Sequence, residues 1–292
     1  MNNFMSGMRR EVVKANGIKI NTWIGGRGKP LLLLHGYPQT AQMWRKITPT
    51  LMKSNFSVIC PDMRGYGDSE KPMSGYDKRT MAADMVYLMS ELGFKNFALA
   101  GHDRGARVSH RLALDWPDRV STLTLMDIVP TLTVFRSTDS KLAAAYWHFF
   151  FFQTPDLPEI MISRNLEQFL RHVFRVWGAH NHFIEEEVFQ EYYRTFRIPG
   201  TIRATLEDYR AAASVDLKHD EFDSTSKIEC PVLAIWGKEN KTMSLFDVTE
   251  TWRQKSNDAR GQSISCGHFI PEEAPKELLD VMLPFIEYSN PK

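Results

Sequence analysis

One pentapeptide constrains this chain more than any other feature: Gly101-His102-Asp103-Arg104-Gly105. It follows a short apolar run, Phe97–Ala100, and opens a helix-like stretch that includes Val108 and Leu112. A strand turning sharply into a helix, with glycine on both sides of one central side chain, is the setting of a nucleophile elbow. The glycines are needed because the strained turn leaves no room for side chains beside its central residue. The plainer alternative is a glycine-rich turn in which Asp103 merely caps the helix. Aspartate at the central position decides the chemistry. A carboxylate attacks carbon directly and becomes an ester of the protein, which an activated water must then cleave. Such a site needs a base, a group that orients the base, and donors for an oxyanion.

Candidates for each are present. His268, in Ser265-Cys266-Gly267-His268-Phe269, follows the last strand signal and is the candidate base. The orienting acid has two candidate positions. Asp127 ends the apolar run Leu123–Met126, and Glu239 follows Val232–Trp236 as a weaker alternative. Oxyanion donors are expected from the backbone N–H of Arg104 and of Tyr37, the latter in His35-Gly36-Tyr37-Pro38. His35 reads as a structural loop residue. Arg104 and Arg107 are three residues apart and share a helix face. Both fall in the first helical turn, where the macrodipole disfavours cations. They therefore call for anions: Asp103, kept ionised by them, and a substrate carboxylate held in bidentate fashion. The alternative is a pair of surface arginines bonded to unrelated acids.

The rest of the first half alternates strands and helices. Leu31–Leu34 is apolar without alternation, as in a parallel strand covered on both faces. Phe56–Cys60, Phe97–Ala100 and Leu123–Met126 are further strands. Thr80–Leu92 places Met81, Met85, Leu88 and Leu92 at helical spacing, with Gly93 as its stop. This alternation predicts an α/β fold, a mostly parallel sheet flanked by helices. From about Val129 to Val215 strand signals give way to helical, aromatic-rich sequence; strands resume at Val232–Trp236 and near Gln262–Ser265. The expected organisation is a core of residues 1–129 and 216–292 with an inserted helical cap, 130–215, over the carboxyl ends of the strands, where open α/β sheets bind ligands.

Composition narrows the class. At roughly 150 residues per domain, 292 residues make one large domain or two. Hydrophobic residues are 43% and charged residues 24%, which excludes disorder and repeat-fibre classes. Lys plus Arg is 36 against 35 for Asp plus Glu, so nothing in the charge points to nucleic acid or an acidic membrane. Cys60, Cys230 and Cys266 make neither a disulfide framework nor a metal-ligand spacing, which fits reduced thiols in a cytoplasmic protein. No secretory leader is read in residues 1–13, and no apolar run is long enough for a membrane span. The expected partner is a small molecule; a homodimer is left open. Neither a metal nor an organic cofactor is expected.

Three segments carry a family resemblance: His35-Gly36-Tyr37-Pro38-Gln39-Thr40, Gly101-His102-Asp103-Arg104-Gly105-Ala106-Arg107 and Gly267-His268-Phe269-Ile270-Pro271-Glu272-Glu273. Asp62-Met63-Arg64-Gly65-Tyr66-Gly67-Asp68-Ser69 and Glu207-Asp208-Tyr209-Arg210-Ala211 add to it. Together, from about Val12 to Phe285, they resemble the fluoroacetate/haloacetate dehalogenase branch of the α/β-hydrolase fold. The resemblance implies Asp103 as nucleophile, His268 as base, Asp127 as its partner, and Arg104 and Arg107 on a substrate carboxylate. It also implies a halide pocket in which His148 and Tyr209 match the family's His and Tyr. The family's Trp falls on Phe149, which has no N–H to donate; Trp147 is an alternative source of that donor. Fluoride concentrates charge as it leaves, so the departure predicts that chloro- or bromoacetate is handled better than fluoroacetate.

The same residues suit an epoxide hydrolase, with Asp103, Asp127 and His268 unchanged and His148 and Tyr209 holding the ring oxygen. Arg104 and Arg107 speak against it, because a neutral epoxide has no carboxylate. A third class is a ligand-binding protein that keeps the fold without turnover.

Overall fold

A computed structural model describes residues 4–180 and 183–288. The outermost residues assigned to the core, 1–3 and 289–292, and residues 181–182 of the cap lie outside the described residues. Eight strands form one sheet: β1 (Met8–Ala15), β2 (Ile18–Gly26), β3 (Lys29–Leu34), β4 (Phe56–Pro61), β5 (Phe97–His102), β6 (Val120–Met126), β7 (Val232–Gly237) and β8 (Ala259–Ile264). Their order is β1-β2-β4-β3-β5-β6-β7-β8. β1 and β2 pair antiparallel, as do β2 and β4; every other pairing is parallel. The five inner strand signals of the sequence all lie within observed strands. The hairpin β1–β2 was not among them, although its turn is Asn16-Gly17, both at positive φ. Asn-Gly between two pairing segments is a strong hairpin signal.

Leu31 and Leu33 pack on one face of the sheet and Leu32 and Leu34 on the other, which explains an apolar run without alternation. One face is covered by the helices Lys78–Glu91 and Arg104–Asp115, through Met85, Val108 and Leu112. The other is covered by Leu278 and Met282 of the helix Pro275–Tyr288. All six residues of β5 are buried, so the elbow grows from the centre of the sheet.

Register decides where the chemistry collects. Leu34 pairs with Gly101, His102 with Met126, and Met126 with Ile235, while Gly237 pairs with Ile264. The parallel strands therefore end at nearly one level. The loops after β3, β5, β6, β7 and β8 open together and carry Tyr37, Asp103, Asp127, Asn240 and His268. Between β6 and β7 the chain is helical, from Thr131–Arg136 to Val215–Phe222. Phe149, Phe152, Tyr192 and Tyr209 of this insertion belong to the same buried cluster as Tyr37. Among the described residues no helix is long and apolar enough to cross a membrane.

Candidate active site

Asp103 sits at φ 47°, ψ −114°, with its side chain making no capping bond to the helix that begins at Arg104. The helix-cap reading of this aspartate therefore does not hold. A non-glycine residue in such a conformation costs about 1–3 kcal/mol, and strain of this kind concentrates at functional sites. The elbow is held by the Asp103 N–H on Met126 O and the Arg107 N–H on Asp103 O, both 3.1 Å. Neighbouring glycines make it possible. A Cβ at Gly105 would lie 2.3 Å from Leu34 O, and one at Gly36 would lie 2.7 Å from the Asp103 Cβ. The Tyr37 N–H donates to Asp103 Oδ2 at 3.0 Å, so one of the two expected oxyanion donors already faces this carboxylate.

His268 Nδ1 donates to Asp127 Oδ2 at 2.5 Å, and its Nε2 lies 4.0 Å from Asp103 Oδ2. The second distance is too long for a hydrogen bond, which leaves Nε2 buried without a protein partner. Asp127 accepts from the Gly237 N–H at 2.9 Å and from the Asn240 side-chain amide. Its own backbone is at φ 58°. Asp127, and not Glu239, is therefore the acid bonded to His268. Glu239 donates its backbone N–H to Cys266 O and lines the cavity. His35 receives the Met63 N–H on Nε2 at 3.0 Å, a structural bond as expected.

Charge is tuned by these contacts. Burial raises the pKa of Asp103, but the nearby His268, Arg104 and Arg107 outweigh it and keep the carboxyl below its ordinary value. Burial disfavours a charged His268, yet the bonded Asp127 and the charge of Asp103 prevail and raise its pKa. His148 has no such partner. Desolvation pushes it down to about 3, so its imidazole is neutral.

The two arginines have different surroundings. Arg104 is fully buried and gives Nε and Nη2 to the equally buried Asp208 carboxylate, at 3.1 and 2.6 Å. Asp208 also accepts from Lys78 and, at 2.7 Å, from the Tyr66 hydroxyl. Arg104 thus follows the alternative reading, an arginine bonded to a protein acid, and only its Nη1 is without a partner. Among the described residues Arg107 has no carboxylate partner. Its Nη1 donates to Val129 O and Thr131 Oγ1, at 3.1 and 3.0 Å, while Nε and Nη2 are buried and unbonded. Both guanidinium groups lie over the Phe149 ring, 5.6 and 5.1 Å from its centroid. Removing Asp208 as Asp208→Ala would leave the buried Arg104 without its carboxylate partner and Lys78 with Asp216 as its remaining carboxylate. A loss of about 3–5 kcal/mol is expected, read from the urea midpoint of unfolding; an unchanged midpoint would show that this network does not hold the fold.

Arg104 Nη1, Arg107 Nε and Nη2, His148 Nδ1, Tyr209 Oη, Tyr37 Oη and His268 Nε2 are all buried without partners. Native proteins rarely leave such groups unbonded, so their gathering near Asp103 makes this a candidate site for a polar ligand or water. A cavity of about 610 Å³ reaches Asp103, Asp127, His148 and His268. Trp147 lines it; Phe149, Tyr209 and the two arginines lie outside its lining.

Sequence reasoning missed Trp177, Asp208 and Asn240 as site residues. Trp177 lines the cavity, lies 4.4 Å from the His148 ring and accepts the His268 N–H on its carbonyl at 2.9 Å. Asp208 adjoins Tyr209 in a segment singled out by the resemblance, so the neighbouring acid was in view. Nothing in the sequence linked Trp177 or Asn240 to the site.

The chain belongs to the alpha/beta hydrolase fold family, which it matches over residues 29–275. It is 37% identical to a fluoroacetate dehalogenase of Burkholderia sp, over 96% of this chain and 94% of that protein. It is also 37% identical to a soluble epoxide hydrolase of Corynebacterium sp. (strain C12), over 92% of this chain and 94% of that protein. Among solved structures it resembles ALR0039, a proposed α/β hydrolase from Nostoc sp PCC 7120, with a TM-score of 0.94 and 49% identity, covering 97% of this chain and 98% of that one. The chain is thus an enzyme-type hydrolase of this superfamily, with both dehalogenase and epoxide hydrolase relatives.

Proposed function

We propose that this protein hydrolyses the carbon–halogen bond of 2-haloacids, of which the haloacetates are the smallest. The observation that carries the reading is Arg107, a buried guanidinium beside Asp103 with two unbonded donor atoms and no carboxylate partner. A substrate carboxylate, shared with Arg104 Nη1, would neutralise it.

An Asp103 oxygen attacks the α-carbon, and the carbon–halogen bond breaks with its electron pair leaving on the halide. The substrate is then an ester of Asp103. Esterification removes the Asp103 charge, one of the influences that raise the proton affinity of His268. The imidazole then returns more readily to its neutral form, in which Nε2 can take a proton from water. Water attacks the Asp103 carbonyl carbon and gives its proton to His268 Nε2, and the Tyr37 N–H stabilises the oxyanion. The products are a 2-hydroxy acid, halide and a proton.

Phe149 has its ring over the two guanidinium groups and no N–H to offer a leaving fluoride. Chloro- and bromoacetate are therefore expected to exceed fluoroacetate in kcat/KM. Steady-state halide release from the three acids checks this, and a highest value for fluoroacetate would reject it.

A second reading, epoxide hydrolysis, is favoured by one pair of residues. The unbonded His148 Nδ1 and Tyr209 Oη are both buried, their rings 5.8 Å apart, and could hold an epoxide oxygen. Halide release from bromoacetate, set against diol formation from styrene oxide, separates the two.

A further inference from the structure

We infer that the preferred substrate is a 2-haloacid whose chain continues several carbons past the α-carbon and ends in a second anionic group. The inference rests on the haloacid reading above. The cavity that meets Asp103 and His268 measures about 610 Å³, within the range of about 300–1,000 Å³ that accommodates drug-sized ligands. A haloacetate ends at its α-carbon and would occupy only the buried end, at Asp103, His148 and His268.

Burial gives the cavity a direction. Asp103, His148 and His268 are buried, whereas Arg175 and Lys241, which line the same cavity, are exposed. The same wall includes Ala144, Ala145, Val176 and Trp177, of which Ala145 and Trp177 are half-buried and Ala144 and Val176 exposed. Such a wall suits methylene groups and offers an acid group little. Arg104 and Arg107 lie outside this lining, so the carboxylate they would hold does not compete for its length.

The outer end is cationic. Arg175 comes from the helix Leu166–Trp177 and Lys241 from the loop after β7. Arg175 bonds to His172 Nδ1 at 3.2 Å. Among the described residues neither cation has a carboxylate within 4.0 Å, and Glu239, the acid on the same rim, pairs with neither. Two cations facing one acid leave a positive balance where the far end of an extended substrate would arrive.

The test compares kcat/KM for halide release from bromoacetate, 2-bromohexanoate and 2-bromohexanedioate, each chiral acid as separate enantiomers. The better enantiomer of 2-bromohexanoate is expected to exceed bromoacetate by about fourfold for each methylene buried. The hexanedioate is expected to exceed the hexanoate by about tenfold, the size that two partly exposed ion pairs supply. In the double variant Arg175→Gln/Lys241→Gln the diacid-to-monoacid ratio should fall to about one. Equal values for the two six-carbon acids, or a ratio that survives the double substitution, would overturn the inference. Bromoacetate as the best substrate would also overturn it while leaving the haloacid reading intact. No halide from any of the three acids would remove both.

Discussion

Replacing His268 by asparagine is expected to stop the reaction halfway and leave the substrate esterified to Asp103. Attack by the carboxylate on carbon requires no proton transfer, and Arg104 and Arg107, which also lower the Asp103 pKa, remain after the imidazole is gone. Cleavage of the ester does require a base, because water must lose a proton as it attacks. His268 Nε2 is a buried, unbonded nitrogen 4.0 Å from Asp103 Oδ2, and Asp127 on Nδ1 determines which nitrogen is free. Loss of a positioned general base lowers turnover by about 10²–10⁴-fold. After exposure of His268→Asn to bromoacetate, mass spectrometry should find one carboxymethyl group on the peptide that contains Asp103. The Asp103→Asn variant should carry none there. A single turnover of the native protein in heavy-oxygen water should label the Asp103 side chain. Label appearing in the product alone, together with an unmodified His268→Asn protein, would refute the covalent route.

Arg107→Leu should lower kcat/KM for bromoacetate by about 10²–10³-fold, the scale expected when one partner of a buried, hydrogen-bonded charge pair is removed. Bromoacetamide, which carries no charge, should be nearly unaffected by the same change. The free protein should unfold at an unchanged or higher temperature. Among the described residues Arg107 has no bonded carboxylate to be left behind, and leucine relieves the cost of burying its charge. Arg104 differs because Asp208 is committed to it. Equal losses on the charged and neutral substrates would show that Arg107 does not anchor the carboxylate.

Much of the molecule is legible in the sequence alone. The strand runs Leu31–Leu34, Phe97–Ala100 and Val232–Trp236 lie within β3, β5 and β7, because strands buried on both faces must be apolar throughout. The elbow was legible because glycine is demanded on both sides of a strained turn. The first hairpin was missed despite its Asn16-Gly17 signal. That omission left two strands out of the predicted sheet without disturbing the site, since β1 and β2 lie at the edge farthest from β7 and β8.

Residue types and local spacing were enough to nominate Asp103, His268 and Asp127, since a strained turn and the ends of buried strands leave marks within a few residues. They could not say which of two adjacent arginines is already neutralised. That depends on Asp208, about a hundred positions away, whose buried carboxylate meets Arg104 and not Arg107 only once the helices between β6 and β7 fold over the sheet. The same folding brings Trp177 to the site and supplies part of the cavity lining. Pair energies depend on distance and desolvation, and for groups so far apart in the chain both are decided by tertiary packing.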